Sequence, residues 1–284
     1  MYDEWSEAVD TRTQAADRLL DAARSGEPCP PVRDLIGTEH DAYAVQEINT
    51  RRALDEGRRP VGWKIGFTNV ESRRRFGADG PSFGMLFADM SHLDGLPVPL
   101  DGFLQPRAEA EIALVLGRDL EGGPFTAAEV IRAVEFALPA IEIADSRVAA
   151  WDITPVDTIA DNASSGAFVL GNTPVPLTGL DLRQAAMTMT RGAAPQVVSQ
   201  AVPQVVPQAV PQQEVSTGSG AACMGHPVNA LVWLAGRLGR TDRPLRAGEV
   251  VLTGALGPVA PVEPGDVFEA RIAGLGSVRA VFAP

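Results

Sequence analysis

The first sixty residues carry a helical period. In WSEAVDTRTQAADRLLDAARSG, Ala16, Leu19, Leu20 and Ala23 fall on one stripe, and Gly26 ahead of Pro30-Pro31 supplies a stop. HDAYAVQEINTRRALDEG spaces Ala42, Val45, Ile48 and Leu54 as a second helix ending at Gly57. From about Pro60 the period shortens to two. VGWKIGFT alternates Trp63, Ile65 and Phe67 with Lys64, Gly66 and Thr68, and AEAEIALVLG and AIEIA are further strand candidates. Between those two, FTAAEVIRAVEFAL predicts a helix: Thr126 and Glu129 have capping-box spacing, and Val130, Val134 and Ala137 form its buried stripe. The C-terminal stretch GEVVLTGALGPVAPVEPGDVFEARIAGLGSVRAVF reads as strands separated by PG and GLG turns. Helices first and strands later predict an α+β fold, with a helical segment over 1–59 and a β-rich core over 60–284.

One stretch departs from this texture. Residues 195–213 read PQVVSQAVPQVVPQAVPQQ, with prolines at 195, 203, 207 and 211. Proline so spaced blocks helix and central strand alike, which predicts an extended surface excursion inserted into a loop. A peptide-docking arm is the alternative use of such a segment.

Charge narrows the partners. Of the 284 residues 36 are acidic and 24 basic, giving a net charge of −12, and 23 of the 24 basic residues are arginine. That balance argues against nucleic acid and against anionic lipid, both of which need a basic surface. A small anionic substrate would need a local cation. Cys29 and Cys223 stand far apart with no CxxC, which excludes a disulfide framework and a cysteine zinc site. An acidic N-terminus without an apolar core, and no apolar run of membrane-spanning length, predict a soluble cytoplasmic protein.

Three carboxylates are the first candidates for the chemistry, with an ordinary exposed strand face as the alternative for the first two. Glu109 and Glu111 are two apart, so on a strand they share one face, while Ala110, Ile112, Leu114 and Leu116 form the other. Ala113 and Val115 continue the carboxylate face, so it is not a simple solvent face. Glu142 sits between Ile141 and Ile143, where an unpaired charge is costly. A strand–helix–strand unit can bring Glu142 to the Glu109/Glu111 face, and such a set without His or Cys favours Mg2+ or Mn2+ over zinc. Lys64, the only lysine, is either a solvated strand residue or a position that needs a compact, titratable amine. Ser164 or Ser165, in the turn Asp161–Gly166, could hold a carboxylate, although Asn, Ser and Gly also suit a plain turn. STGSGAACMG lacks the lysine of a phosphate loop, His226 in GHP reads as a turn residue, and neither GxSxG nor HExxH occurs.

Seven stretches together resemble the 2-oxopent-4-enoate (2-hydroxypenta-2,4-dienoate) hydratases and related 4-oxalocrotonate decarboxylases of the fumarylacetoacetate hydrolase superfamily. They are GWKIGFTN (62–69), PSFGMLFADM (81–90), QPRAEAEIALVLGRDL (105–120), LPAIEIADSR (138–147), DTIADNASSGAFVLG (157–171), STGSGAACMGHPVNALVWLA (216–235) and GEVVLTGALGPV (248–259). The resemblance implies a mixed β-roll core with flanking helices, assembled as a homo-oligomer, with association with a neighbouring pathway enzyme as an open alternative. It implies Glu109, Glu111 and Glu142 as ligands of Mg2+ or Mn2+, and Lys64 over the substrate. Ser164 would help hold the substrate carboxylate, and Thr253 and Gly254 would line the pocket. In one place the chain departs from the pattern. Hydratases of this type often carry an aspartate at the position of Ser82, a proposed partner of the lysine, so Ser82 becomes the candidate at that step. The implied reaction is metal-dependent addition of water to a short unsaturated 2-hydroxy or 2-oxo acid in aromatic catabolism. The alternative is decarboxylation of 2-oxo-3-hexenedioate on the same metal site. A reading of another class is a non-catalytic binding or assembly protein using the Pro-Gln repeat.

Overall fold

Thr38 starts the second helix by accepting the Asp41 N–H on its side chain, and Gly26 closes the first with φ +76°. These two local signals bound the N-terminal helices seen in the structure. It is a computed structural model that describes residues 2–193 and 212–283, with side chains from residue 11 onward. In chain order the first half holds α1 (Tyr2–Ser25), α2 (Glu39–Asp55), β1 (Pro60–Gly66), α3 (Val70–Phe76), β2 (Ser82–Phe87), β3 (Ser91–Leu93), β4 (Pro97–Val98) and β5 (Arg107–Leu116). The second half holds α4 (Ala127–Ala133), β6 (Val134–Ala144), α5 (Pro155–Ala160), β7 (Ser165–Leu170), β8 (Ala186–Ala193), β9 (Gln213–Ser219), α6 (Pro227–Leu238), β10 (Val250–Leu252), β11 (Ala260–Pro261), β12 (Asp266–Ile272) and β13 (Gly276–Phe282).

Two mixed sheets form the β-rich core expected from the sequence. One runs β2-β1-β10-β5-β6-β7-β3 with β11 against β5, the other β4-β13-β12-β8-β9. The β1–β10, β3–β7 and β4–β13 pairs are parallel and the rest antiparallel. β12 and β13 pack across β6, so β5 and β6 are buried on both faces. A second apolar cluster joins Ala15, Ala16, Leu19 and Ala22 of α1 with Ala42 and Val45 of α2, and with Val148, Ile159 and Ala160 from beyond residue 60. Asp157 ties these parts together. Its carboxylate accepts from Val32 N at 2.8 Å, Arg33 N at 2.9 Å and Thr154 N at 2.9 Å, and pairs with Arg33 Nη1 at 2.8 Å.

Several elements differ from the periodicity reading. The α1 stripe is rotated by one position: Ala15 and Ala22 are buried, Leu20 is half-buried and Ala23 is exposed. In α2 the polar Gln46 and Thr50 are buried, while Ile48 and Leu54 are half-buried. The capping box of Thr126 and Glu129 is present, but the helix stops at Ala133, and Val134 and Ala137 belong to β6. Ladder pairing from Leu116↔Val134 to Arg107↔Ala144 outweighs local helix propensity there. α3, α5 and α6 lie in stretches read only as β-like texture or motif, because they are short or bounded by proline. The Pro-Gln-Val repeat lies outside the described residues as far as Pro211, and Gln213, expected to close it, opens β9 opposite Arg191.

Candidate active site

The β5–β6 register sets Glu109 directly opposite Glu142, with Glu111 two residues along the same face. Like charges at a direct cross-strand pair repel, so an arrangement of this kind calls for a cation. Each of Glu109, Glu111 and Glu142 offers one oxygen, all within 4.8 Å of one another. Glu142 is fully buried, Glu111 is 1% exposed, and Glu109 lies at the partly open edge.

Lys64 reaches this face through the neighbouring strands. Lys64 pairs with Leu252 on β10 and Leu252 with Ala113 on β5, and Ala113 shares the face of Glu109 and Glu111. The lysine is therefore not a solvated strand residue; it is 5% exposed. Its Nζ lies 2.8 Å from Glu142 Oε1, an ion pair whose approach is off the line of a well-formed hydrogen bond, and donates to Ala163 O at 2.9 Å. Glu142 Oε2 meets no donor among the described residues. Burial pulls the Lys64 pKa down, but the charges of Glu142, Glu109 and Glu111 outweigh it and the net direction is upward. Burial, reinforced by the charge of Glu142, pushes Glu109 up to about 7 and Glu111 well above the ordinary carboxylate range. When ionised, three carboxylates against one ammonium leave a deficit of two positive charges. A divalent cation would balance the set, and oxygen-only donors suit a hard ion.

Backbone and hydroxyl groups complete the site. Gly254 N donates to Glu111 Oε2 at 2.7 Å, and Gly254 has φ +106°. A Cβ at that position would lie 2.1 Å from Thr68 Oγ1, so only glycine brings the amide this close. Cys223 Sγ donates to Gly254 O at 3.0 Å, and Thr253 Oγ1 donates to Ile112 O at 2.8 Å. Thr253 thus commits its hydroxyl to β5 and contributes to the site through the peptide that follows it. Ser82 and Ser164 are buried at 1% and 3% exposure, and neither Oγ has a partner. Buried hydroxyls are rarely left unpaired, so these two are open to a ligand or water. Ser82 stands opposite Gly66 in the β1–β2 pair, two positions from Gly84, the partner of Lys64.

Sequence reasoning missed Asn162, whose carboxamide bonds both backbone groups of Met85, and the buried Arg147–Asp161 pair beside it. The only sequence signal for either was the polarity of the turn. His226 is a helix cap: its Nδ1 accepts from Val228 N at 3.0 Å. The glycines of STGSG serve packing, since a Cβ on Gly218 would lie 1.7 Å from Leu256 O. A cavity of about 410 Å³ elsewhere is walled by Gln46, Arg147, Asn162 and Ser165 among others, without the three glutamates or Lys64. The arginines in its wall are already paired, Arg52 with Asp17, Arg58 with Asp89 and Arg147 with Asp161. The unbalanced charge sits at the carboxylates, which makes them the candidate site.

Residues 69–283 match the C-terminal domain that defines the fumarylacetoacetate hydrolase family. This chain belongs to that family. Relatives at 38–55% identity are named hydratases, which are lyases. The TodF product hydratase of Pseudomonas putida F1 is 55% identical over 273 residues, covering 95% of this chain and 94% of its own. The 2-keto-4-pentenoate hydratase of Paraburkholderia xenovorans LB400 is 49% identical over the same span, again covering 95% and 94%. Among solved structures, the 4-oxalocrotonate decarboxylase of Pseudomonas putida G7, complexed with magnesium and adipate, superposes with a TM-score of 0.85 at 30% identity, covering 96% of this chain and 97% of its own. The mixed-sheet architecture with N-terminal helices is therefore the fumarylacetoacetate hydrolase fold. No helix among the described residues is long and apolar enough to cross a membrane.

Proposed function

We propose that this protein is a divalent-metal-dependent hydratase that converts 2-hydroxypenta-2,4-dienoate to 4-hydroxy-2-oxopentanoate in the breakdown of aromatic compounds. The observation that carries the reading is the buried Glu109–Glu111–Glu142 cluster with Lys64 against Glu142, in a chain 55% identical to a hydratase. The three glutamates would hold Mg2+ or Mn2+. When bound, the ion supplies the missing positive charge and polarises the 2-oxo group of the substrate.

The chain's own groups do the rest. Lys64 has three N–H donors, of which Ala163 O engages one, and its charge is paired with Glu142. A remaining donor would stabilise the charge that develops on the substrate oxygen as O2 loses its proton, which passes to the relay and not to the already protonated amine. Delivery of that proton to C5 gives the conjugated 2-oxo-3-enoate, and water then adds its hydroxyl at C4 and a proton at C3. Ser164 would donate to the substrate carboxylate. Ser82, with a free hydroxyl and no charge, would take part in the proton relay beside Lys64. Gly254 holds Glu111 in its ligating orientation.

The same apparatus supports a second reading, favoured by the structural likeness to a decarboxylase: loss of CO2 from 2-oxo-3-hexenedioate. Incubation with each substrate, with and without Mg2+, separates them. Loss of ultraviolet absorbance without CO2 supports hydration, and CO2 release from the diacid supports decarboxylation. No Mg2+-dependent change with either substrate would sink both and leave the non-catalytic reading.

A further inference from the structure

Between α5 and β7 the consecutive residues Asn162, Ala163 and Ser164 have φ of +50°, +54° and +53°. None is glycine, and L-residues with a Cβ avoid this region, so a run of three persists only where neighbours hold it. Two of the three face the chemistry. Ala163 O accepts from Lys64 Nζ at 2.9 Å, and Ser164 Oγ is buried without a partner.

The holding group is the Asn162 side chain. Its Oδ1 accepts from Met85 N at 2.8 Å and its Nδ2 donates to Met85 O at 2.9 Å. β2 is an end strand of its sheet, and Met85 stands opposite Trp63 of β1 with its own N–H and C=O turned outward. There the carboxamide takes the place of a neighbouring strand's peptide group. The approach is close: a Cβ on Gly84 would lie 2.2 Å from Asn162 O. The turn's two ends are anchored separately, by Arg147 Nη2 donating to Asp161 O at 2.8 Å and Asp145 N donating to Ser164 O at 2.8 Å.

We propose that Asn162 is a positioning residue: clipped onto Met85, it holds the left-handed turn that aims the Lys64 ammonium through Ala163 O and presents the Ser164 hydroxyl. This rests on the reading of Lys64 and Ser164 as substrate-facing groups. Asn162 itself touches no reacting atom, and its effect runs through these two.

The test compares wild type with Asn162→Gly, Asn162→Asp and Asn162→Ala. It measures kcat and KM for 2-hydroxypenta-2,4-dienoate, Mg2+ affinity by calorimetry, and affinity of the Mg2+-loaded protein for oxalate, a probe that needs no turnover. Misplacing the amine and hydroxyl should lower kcat by ~10- to 100-fold. Oxalate affinity should weaken roughly fivefold, with Mg2+ affinity within about threefold of wild type, because β5, β6 and Gly254 set the glutamates independently. Asn162→Gly decides the matter, since glycine accepts positive φ and the variant removes only the clip. Wild-type kcat and oxalate affinity in Asn162→Gly would overturn the proposal, as would Mg2+ affinity falling in step with kcat. If wild type turns over neither substrate, the hydratase reading fails on its own, and the oxalate titration still reports on Asn162.

Discussion

Lys64 is held between two acceptors, Glu142 Oε1 at 2.8 Å and Ala163 O at 2.9 Å, inside a sheet that leaves it 5% exposed. A guanidinium is larger and planar and cannot place a compact charge between these two acceptors, which fits a lysine here in a chain that otherwise uses arginine. Lys64→Arg should therefore lower kcat by about 100-fold or more while the protein still folds. Steady-state kinetics beside a melting curve check this, and wild-type kcat would make the lone lysine incidental. His226 has a different role. Burial lowers its pKa, with Asp181 and Arg183 as the nearby charges, and its neutral Nδ1 caps α6 through Val228 N. With the folded pKa below the unfolded one, the cap's contribution is complete above about pH 6.5 and is lost as pH falls below it. Asn caps without titrating, so the stability of wild type relative to His226→Asn should fall by about 1 kcal/mol between pH 8 and pH 5. Denaturant melts at both pH values measure the difference, and a pH-independent difference would remove the cap from the argument.

At the scale of elements, the β5–β6 pair does most to make the candidate site. Residues Ala127–Ala133 keep the helix that their capping box starts, yet Val134 onward joins the ladder. A helix through Ala137 would have cost the sheet its Leu114↔Ala137 and Val115↔Phe136 pairs. Lengthening the strand at the helix's expense sets the register that puts Glu142 opposite Glu109. The β8–β9 pair bears on the Pro-Gln-Val repeat in a similar way. Its register runs from Ala186↔Ser219 to Arg191↔Gln213, so the two ends flanking residues 194–212 are already held side by side. Replacing 195–211 by a two-residue Asn-Gly turn should leave the melting temperature within about 3 °C and kcat within about twofold, because loop length changes closure entropy only slowly. Loss of turnover in the shortened protein would assign the repeat a part in the function.

For the molecule as a whole, charge is the governing quantity. A net charge of −12 coexists with a cluster whose three carboxylates, once ionised, outnumber its one ammonium by two. Without a metal, burial raises the Glu109 pKa to about 7 and that of Glu111 well above the usual range, so protons meet part of this deficit. Binding Mg2+ must displace those protons, so affinity should rise with pH and weaken as pH falls below about 7. Calorimetry in two buffers of different ionisation enthalpy should show proton release, and none would contradict the protonated resting site. Mg2+ at a hundred times its dissociation constant should stabilise the fold by about 2.7 kcal/mol, seen as a higher melting temperature than in chelator. Glu109→Gln should lose that increment.

The two N-terminal helices, the strand carrying Glu109 and Glu111, and the suspicion attached to Glu142 and Lys64 were readable along the chain. Each depends on local period, on a residue type out of keeping with its neighbours, or on compositional bias. The end of α4, the clip of Asn162 onto Met85, and the Lys64–Glu142 pair were not readable, because each depends on partners far away in sequence. Local propensity counts only near neighbours. Register, burial and charge balance emerge when β1, β10, β5 and β6 lie side by side. The amino-acid order thus selected the chemistry available to the protein, and tertiary pairing decided which of those groups meet, since register and burial gather three scattered carboxylates and an amine into one cluster whose charge a divalent cation would balance.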